Sequence, residues 1–184
     1  FIFLKDQTGV LFLGLTTILS DIAIWGALSV LTITISKDIF LKGSWGYGLM
    51  DGMYGFGALL STVAIAKTIA IIGRKKALLI CYSVAGVSCF ISPLMSTIYI
   101  AGIAYFFMGL HNNAARIIVR TLFMEIIPNR IMGRVQTIFG VYTRIMMLSS
   151  VLIAGWITEK YDPYIGMSFA SAHYMIALIG VIII

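Results

Sequence analysis

The sequence predicts an all-α polytopic membrane protein, six transmembrane helices arranged as two three-helix repeats. Three observations predict it. Of 184 residues, 60% are hydrophobic and 11% charged, where soluble domains run about 45–50% and about 25%. The mean hydropathy is +1.03, more apolar surface than a soluble core of this size hides. Polar breaks divide the chain into six apolar runs, for which lipid is the natural solvent. A nucleic-acid-binding domain, a disordered chain and an ordinary cytosolic enzyme are thereby excluded.

The first run covers residues 10–36 and ends at Lys37, Asp38, Lys42 and Gly43. The second, 45–72, ends at Gly73-Arg74-Lys75-Lys76. The third, 77–92, is short and ends at Ser92-Pro93. The fourth, 98–127, ends at Pro128-Asn129-Arg130. The fifth, 135–158, ends at Glu159-Lys160-Tyr161-Asp162-Pro163. The sixth covers 165–184. A crossing helix needs about 20 residues, whereas barrel strands show alternating segments of about ten. These runs are too long and too evenly apolar for strands. Because the chain starts at Phe1 and stops inside an apolar run, it reads as a fragment of a longer protein.

There are 13 basic and 7 acidic residues, a net charge of +6. One side of the predicted bundle takes Lys5, Arg74, Lys75, Lys76, Arg130 and Arg134, with Lys67 and Arg120 nearby. The other takes Lys37, Lys42 and Lys160. The positive-inside rule then places both ends of the segment in the cytoplasm, in a multi-pass protein of the cytoplasmic (inner) membrane. Cys81 and Cys89 lie about two turns apart in one run, too far for a disulfide, and have no metal-ligand spacing. No cofactor, metal or nucleic acid is expected. The expected partners are the lipid bilayer and a small-molecule substrate.

Ionisable groups inside a bilayer are costly and mark function by default. The first run carries Asp21 and the second Asp51; the fourth carries His111, Asn112, Asn113 and Arg116, and the fifth Arg144. The third has none and the sixth only His173. Runs one, two, four and five are therefore expected to share a polar interior, with three and six facing lipid. Asp21, Arg116 and Arg144 each lie 10 or 11 residues from the cytoplasmic end of their run, or about 15 Å, which is midplane. Two arginines against one aspartate leave a surplus cation. A water-filled cavity with an anionic ligand would resolve it; a structural ion-pair network is the competing reading.

Asn112, Arg116 and Arg120 recur every four residues and share a helix face, with Asn113 beside them. The candidate substrate-binding set is Asp21, Asn112, Asn113, Arg116 and Arg144. Asp21 and His111 are the candidate proton carriers, although a histidine bonded to a backbone carbonyl is the plainer reading of His111. Arg120 is expected to reach the headgroups. Asp51 either guards the outer mouth or stays wet. Gly48 and Gly52 have the spacing that lets helix backbones approach closely. Trp45, Trp156 and Tyr161 suit an interfacial belt; Trp25 and Tyr142 are deeper and could line an amphiphile pocket. No nucleophile–base pair or phosphate-binding loop stands out, so no enzyme is expected.

Gly73-Arg74-Lys75-Lys76 resembles the glycine–basic core of the loop between the second and third helices of a half in the major facilitator superfamily. The acidic residue of that pattern, three positions earlier, is Ala70 here. The segment 127–135, with Gly133 and Arg134, resembles the turn before the eleventh helix in the drug and siderophore exporter branch. Residues 155–162 look like the outer end of that helix. The resemblance implies the C-terminal six-helix half of a twelve-helix transporter with alternating access. It also implies a missing N-terminal six-helix half, a coupling proton or ion, and gating roles for Gly73, Arg74, Lys75, Gly133 and Arg134. The expected function is secondary active transport of a small anionic or amphiphilic solute, as efflux of drug or siderophore type. The competing expectation is a non-transporting structural or receptor-like membrane subunit.

Overall fold

The computed structural model describes Gly14 and residues 18–183. These form six helices and no strand among the described residues. They are α1 (Ile18–Ile39), α2 (Gly43–Ile72), α3 (Arg74–Ile91), α4 (Ile98–Ile126), α5 (Asn129–Lys160) and α6 (Pro163–Ile183). All but α4 are long and apolar enough to cross a membrane. α4 has the length, but it carries His111, Asn112, Asn113, Arg116 and Arg120 in the middle of its apolar sequence.

Local sequence explains the ends. Gly73 between α2 and α3 adopts φ +79°, a region that a side chain rarely enters, and its N–H bonds to Ile69 O at 2.9 Å. α3 stops where Pro93 closes a short 3₁₀ turn, Ser92–Leu94. Thr97 caps α4, its Oγ1 accepting from the Ile100 N–H. Pro128, extended at ψ 136°, separates α4 from α5. α5 begins at Asn129, several residues before the expected run, because the polar Asn129–Arg134 segment is still helical. α1 is wound as π-helix over Ile22–Ala27, directly after Asp21, and again over Ile35–Ile39.

Neighbouring helices form a ring in the order α1, α5, α6, α3, α4, α2. One end carries the turns at Gly73 and Pro128, with Arg74, Lys75, Lys76, Arg130 and Arg134; we call it the basic end. α2 and α4 run in the same direction. Trp45 packs edge-on against Tyr99 at their start, and Arg74, just past the end of α2, pairs with Glu125 on α4.

The packing bears on two expectations. First, within the described residues α3 and α6 are more buried than α2 and α5. More than half of the apolar span of α3 is buried and 44% of that of α6, against 17% for α2 and 11% for α5. α3 and α6 meet at Gly86, whose carbonyl accepts from Ser171 Oγ at 2.9 Å, beside the buried Tyr82 and Tyr174. A helix without ionisable groups is as comfortable in a protein core as in lipid, so the charge pattern could not tell the two apart. Second, the close helix approach is not at Gly48 and Gly52, where an added Cβ would meet nothing. It is at Gly57 on α2 and Gly109 on α4, where a Cβ would overlap Phe106 O and Tyr54 O.

Candidate functional site

Two polar contacts form a layer across α1, α2 and α4. Arg116 Nε on α4 lies 3.0 Å from Asp21 Oδ1 on α1, both side chains 24% exposed. One turn earlier on α4, Asn112 is fully buried and its Nδ2 donates to Tyr54 Oη on α2 at 2.8 Å. The Asn112 Oδ1 finds no hydrogen-bond partner among the described residues. The close approach at Gly57 and Gly109 brings Tyr54 within reach of Asn112. It also lets Asn113 Nδ2 donate to Ala58 O at 2.9 Å and Ser61 Oγ at 2.7 Å. Small residues for approach and amides for adhesion are the usual means of helix association in lipid.

A cavity lies on each side of this layer. One, of about 430 Å³, is lined by Ile18, Asp21, Arg120, Phe123, Gln136 and Phe139, among others, from α1, α4 and α5. It lies toward the basic end. The other, of about 340 Å³, is walled by Trp25, Thr32, Tyr47, Asp51, Tyr54 and Tyr105, among others, from α1, α2 and α4. It lies toward the opposite end. The order along each helix places the layer between them. On α1, Asp21 falls between Ile18 of the first cavity and Ile24 of the second; on α4, Asn112 and Arg116 fall between Val119 and Met108.

Of the sequence-derived candidates, Asp21, Arg116 and Asn112 come together. Asn113 flanks them but spends its amide on α2. Arg144 does not join. It lies near the height of Asp21, since Gly14 and Gly26 pack against Phe139 and against Met147 and Ser150 on α5, but its side chain is exposed and faces away from the pair. The surplus midplane cation therefore dissolves into one ion pair and one separate arginine.

His111 points elsewhere. Its Nδ1 bonds to Phe107 O of its own helix at 2.8 Å, and it borders a third cavity, of about 90 Å³, with Ser61 and Cys81. Asp51 lines the cavity walled by α1, α2 and α4 and is exposed. Trp25 lines the same cavity, while Tyr142 is exposed on α5. At the basic end, Arg74 makes a two-pronged pair with Glu125, Nη2 to Oε1 at 2.7 Å, and Lys75 Nζ reaches Ile182 O at 3.5 Å. Gly133 and Arg134 are exposed in the first turns of α5. Tyr54, Tyr105, Thr32 and Glu125 did not stand out in the sequence. A tyrosine or threonine in an apolar run reads as packing, and only the fold shows their hydroxyls converging. Cys81 and Cys89 are free thiols, both buried.

No protein-family model matches the chain, and no curated protein matches it. Fold and composition define a helical bundle compatible with a multi-pass membrane protein, with a charged pair between two open cavities.

Proposed function

We propose that this chain is the six-helix half of a secondary active transporter of the cytoplasmic membrane, moving a small amphiphilic solute by alternating access. The observation that carries this reading is the thin polar layer, Asp21–Arg116 and Tyr54–Asn112, with a cavity on either side. A barrier only a few side chains thick, held by one ion pair, can open by local rearrangement. Protonation of Asp21 would neutralise the pair and release Arg116, which links proton movement to the opening of the layer. Arg116 is already paired with Asp21, so an anionic solute would rest on Arg144, exposed on α5. The amphiphilic solute keeps its motive in the mixed walls of both cavities. The major facilitator likeness of the two basic-end turns supports the same reading, with export of drug or siderophore type as its corollary. The broad apolar faces of α2 and α5 would receive the second six-helix half.

Side-specific labelling tests the arrangement. Tyr47→Cys and Gln136→Cys place single thiols in the two cavities, and a membrane-impermeant maleimide is added from one side of the membrane or the other. The expected result is labelling of each from opposite sides, with the basic end cytoplasmic. Proteoliposome flux under an imposed pH gradient then tests transport, with Asp21→Asn expected to abolish coupling. Labelling of both thiols from one side, or gradient-driven flux that survives Asp21→Asn, defeats the mechanism. Sided labelling without flux favours the non-transporting subunit.

A further inference from the structure

We propose that the groove between α2 and α3, floored by α4, binds an anionic phospholipid of the cytoplasmic leaflet, with one acyl chain in the groove and the phosphate held by Lys67 and Lys76 at its mouth. The inference rests on the chain spanning a membrane with its basic end cytoplasmic. It does not rest on transport and is measurable without flux.

The groove follows from how three helices pack. α2 and α3 part soon after the Gly73 turn, and each leans on α4 rather than on the other. The gap between them is the small cavity that His111 borders. Small side chains keep it open: Ala64 on α2, Ala77 on α3 and Ala114 on α4. Its hydroxyl hydrogens are already spent. Ser61 Oγ donates to Ala58 O at 2.7 Å, and Thr68 Oγ1 to Ala64 O at 3.0 Å. What the groove presents is therefore mostly hydrocarbon. Its length is also informative. It runs from Ile72 and Ala77, on either side of the turn, to Ser61 and His111. Ile72 lies 11 residues beyond Ser61, a rise of about 16 Å. That is one leaflet of a hydrocarbon core about 30 Å thick. A channel that starts at one membrane surface and ends at the midplane suits a single acyl chain. At about 90 Å³ it is too small to enclose a whole solute, for which sites of about 300–1,000 Å³ are usual.

Charge selects the headgroup. Lys76 precedes Ile80 by one helical turn and Lys67 follows Ala64 by nearly one, and both of those neighbours line the groove, so each lysine stands on a rim. Both lysines are exposed, and neither has an ion-pair partner among the described residues. Their long stems let the ammonium groups reach the headgroup layer. Glu125, the one acid at the basic end among the described residues, is committed to Arg74 by its two-pronged pair. Lys75 turns instead to Ile182 O at the end of α6. The mouth therefore has cations to spare and no free carboxylate among the described residues. A phosphatidylglycerol headgroup brings one negative charge and no cation. A phosphatidylethanolamine headgroup brings the same phosphate together with an ammonium, which would meet only like charge. Basic pockets between membrane helices on the cytoplasmic side commonly take anionic headgroups. A free phosphate ion could use the same lysines, but it would leave the groove without a role.

Native mass spectrometry of the full-length protein released from detergent tests it, with dioleoyl phosphatidylglycerol and dioleoyl phosphatidylethanolamine as probes. Phosphatidylglycerol is expected to bind at least about fivefold tighter, and Lys67→Gln with Lys76→Gln to weaken it by about tenfold. Arg130→Gln with Arg134→Gln removes as much charge from the same end, away from the groove, and is expected to leave binding nearly unchanged. Ala64→Leu keeps every charge but fills the groove, and is expected to weaken binding several-fold. Excess inorganic phosphate, at matched ionic strength, is expected not to displace the lipid. Equal binding of the two lipids overturns the proposal. So do equal losses in the two charge variants, which would mean diffuse attraction to the basic end. Full affinity in Ala64→Leu, or displacement by phosphate, overturns the acyl-chain groove. The comparison of lipids uses the unaltered protein, so it decides even where a variant does not fold. Lipid binding without flux counts against transport and leaves the site standing.

Discussion

Arg116 Nε on α4 stands 3.0 Å from Asp21 Oδ1 on α1, at the layer between the two main cavities. Removing one member of such a pair leaves a charge with no counter-ion in a poorly solvated place. The full penalty for breaking a buried pair is about 3–5 kcal/mol. With both side chains 24% exposed, we expect about 1–3 kcal/mol for Asp21→Asn or Arg116→Gln, after discounting for partial solvation. The double variant should cost less than the two single losses together, because no charge is then stranded. Denaturant unfolding of the purified protein gives the four values of the cycle. Additive losses would mean that the groups are not coupled.

Gly109 predicts a sharper stability effect than its position in an apolar run suggests. A Cβ there would overlap the carbonyl of Tyr54, which is backbone and cannot swing aside. Gly109→Ala should force α2 and α4 apart, at about 1–3 kcal/mol, and weaken the Asn112–Tyr54 and Asn113–Ala58 bonds with it. Gly52→Ala, in open space on α2, should be neutral or stabilise by up to about 1 kcal/mol through helix propensity. Melting temperatures of the two variants should move apart. Equal shifts would remove the close approach as the cause.

Asn113 separates a structural amide from a ligand-binding one. Both side-chain hydrogen bonds of Asn113 Nδ2 go to α2, so Asn113→Ala should loosen the α2–α4 contact by about 0.5–2 kcal/mol, the usual range for a polar contact between membrane helices. The affinity for a transported solute should stay as it was. A lowered melting temperature with an unchanged KM for uptake is the expected pair of readouts. A raised KM at full stability would return Asn113 to the substrate site.

Much of the architecture was legible in the sequence, since composition and run length dictate a helical bundle and Gly73 and Pro93 punctuate it. The Asp21–Arg116 pairing was half legible: equal depth on two helices pointed to it. Arg144 shares their depth, but depth does not say which way a side chain faces, and it lies exposed on α5. The burial of α3 and α6 was not legible, because an apolar stripe looks the same against protein and against lipid. Nor was the groove between α2 and α3, since no spacing of residues reveals which neighbouring helices part.

The Arg74–Glu125 pair is well formed but exposed, with side chains 42% and 47% accessible. Solvent and salt screen such pairs, which contribute little to stability. Glu125→Gln should therefore lower stability only slightly at low ionic strength, and the difference should disappear in molar salt. Melting curves at two salt concentrations check this. A loss that persists in high salt would show that Glu125 does more at the basic end than pair with Arg74.

His111 and Asp21 make opposite predictions about proton coupling. A relay residue must pass its proton between partners on two sides. His111 Nδ1 is tied to Phe107 O on its own helix, and the ring borders the small cavity between α2, α3 and α4, away from Asp21 and Arg116. His111→Gln can still form that backbone bond through its amide, and it carries no titrating proton. Flux measured across a range of pH in proteoliposomes should keep its pH dependence in His111→Gln and lose it in Asp21→Asn. If the histidine variant loses it and the aspartate variant does not, the coupling group lies on the other face of α4, and the layer at Asp21–Arg116 is a structural brace rather than the gate.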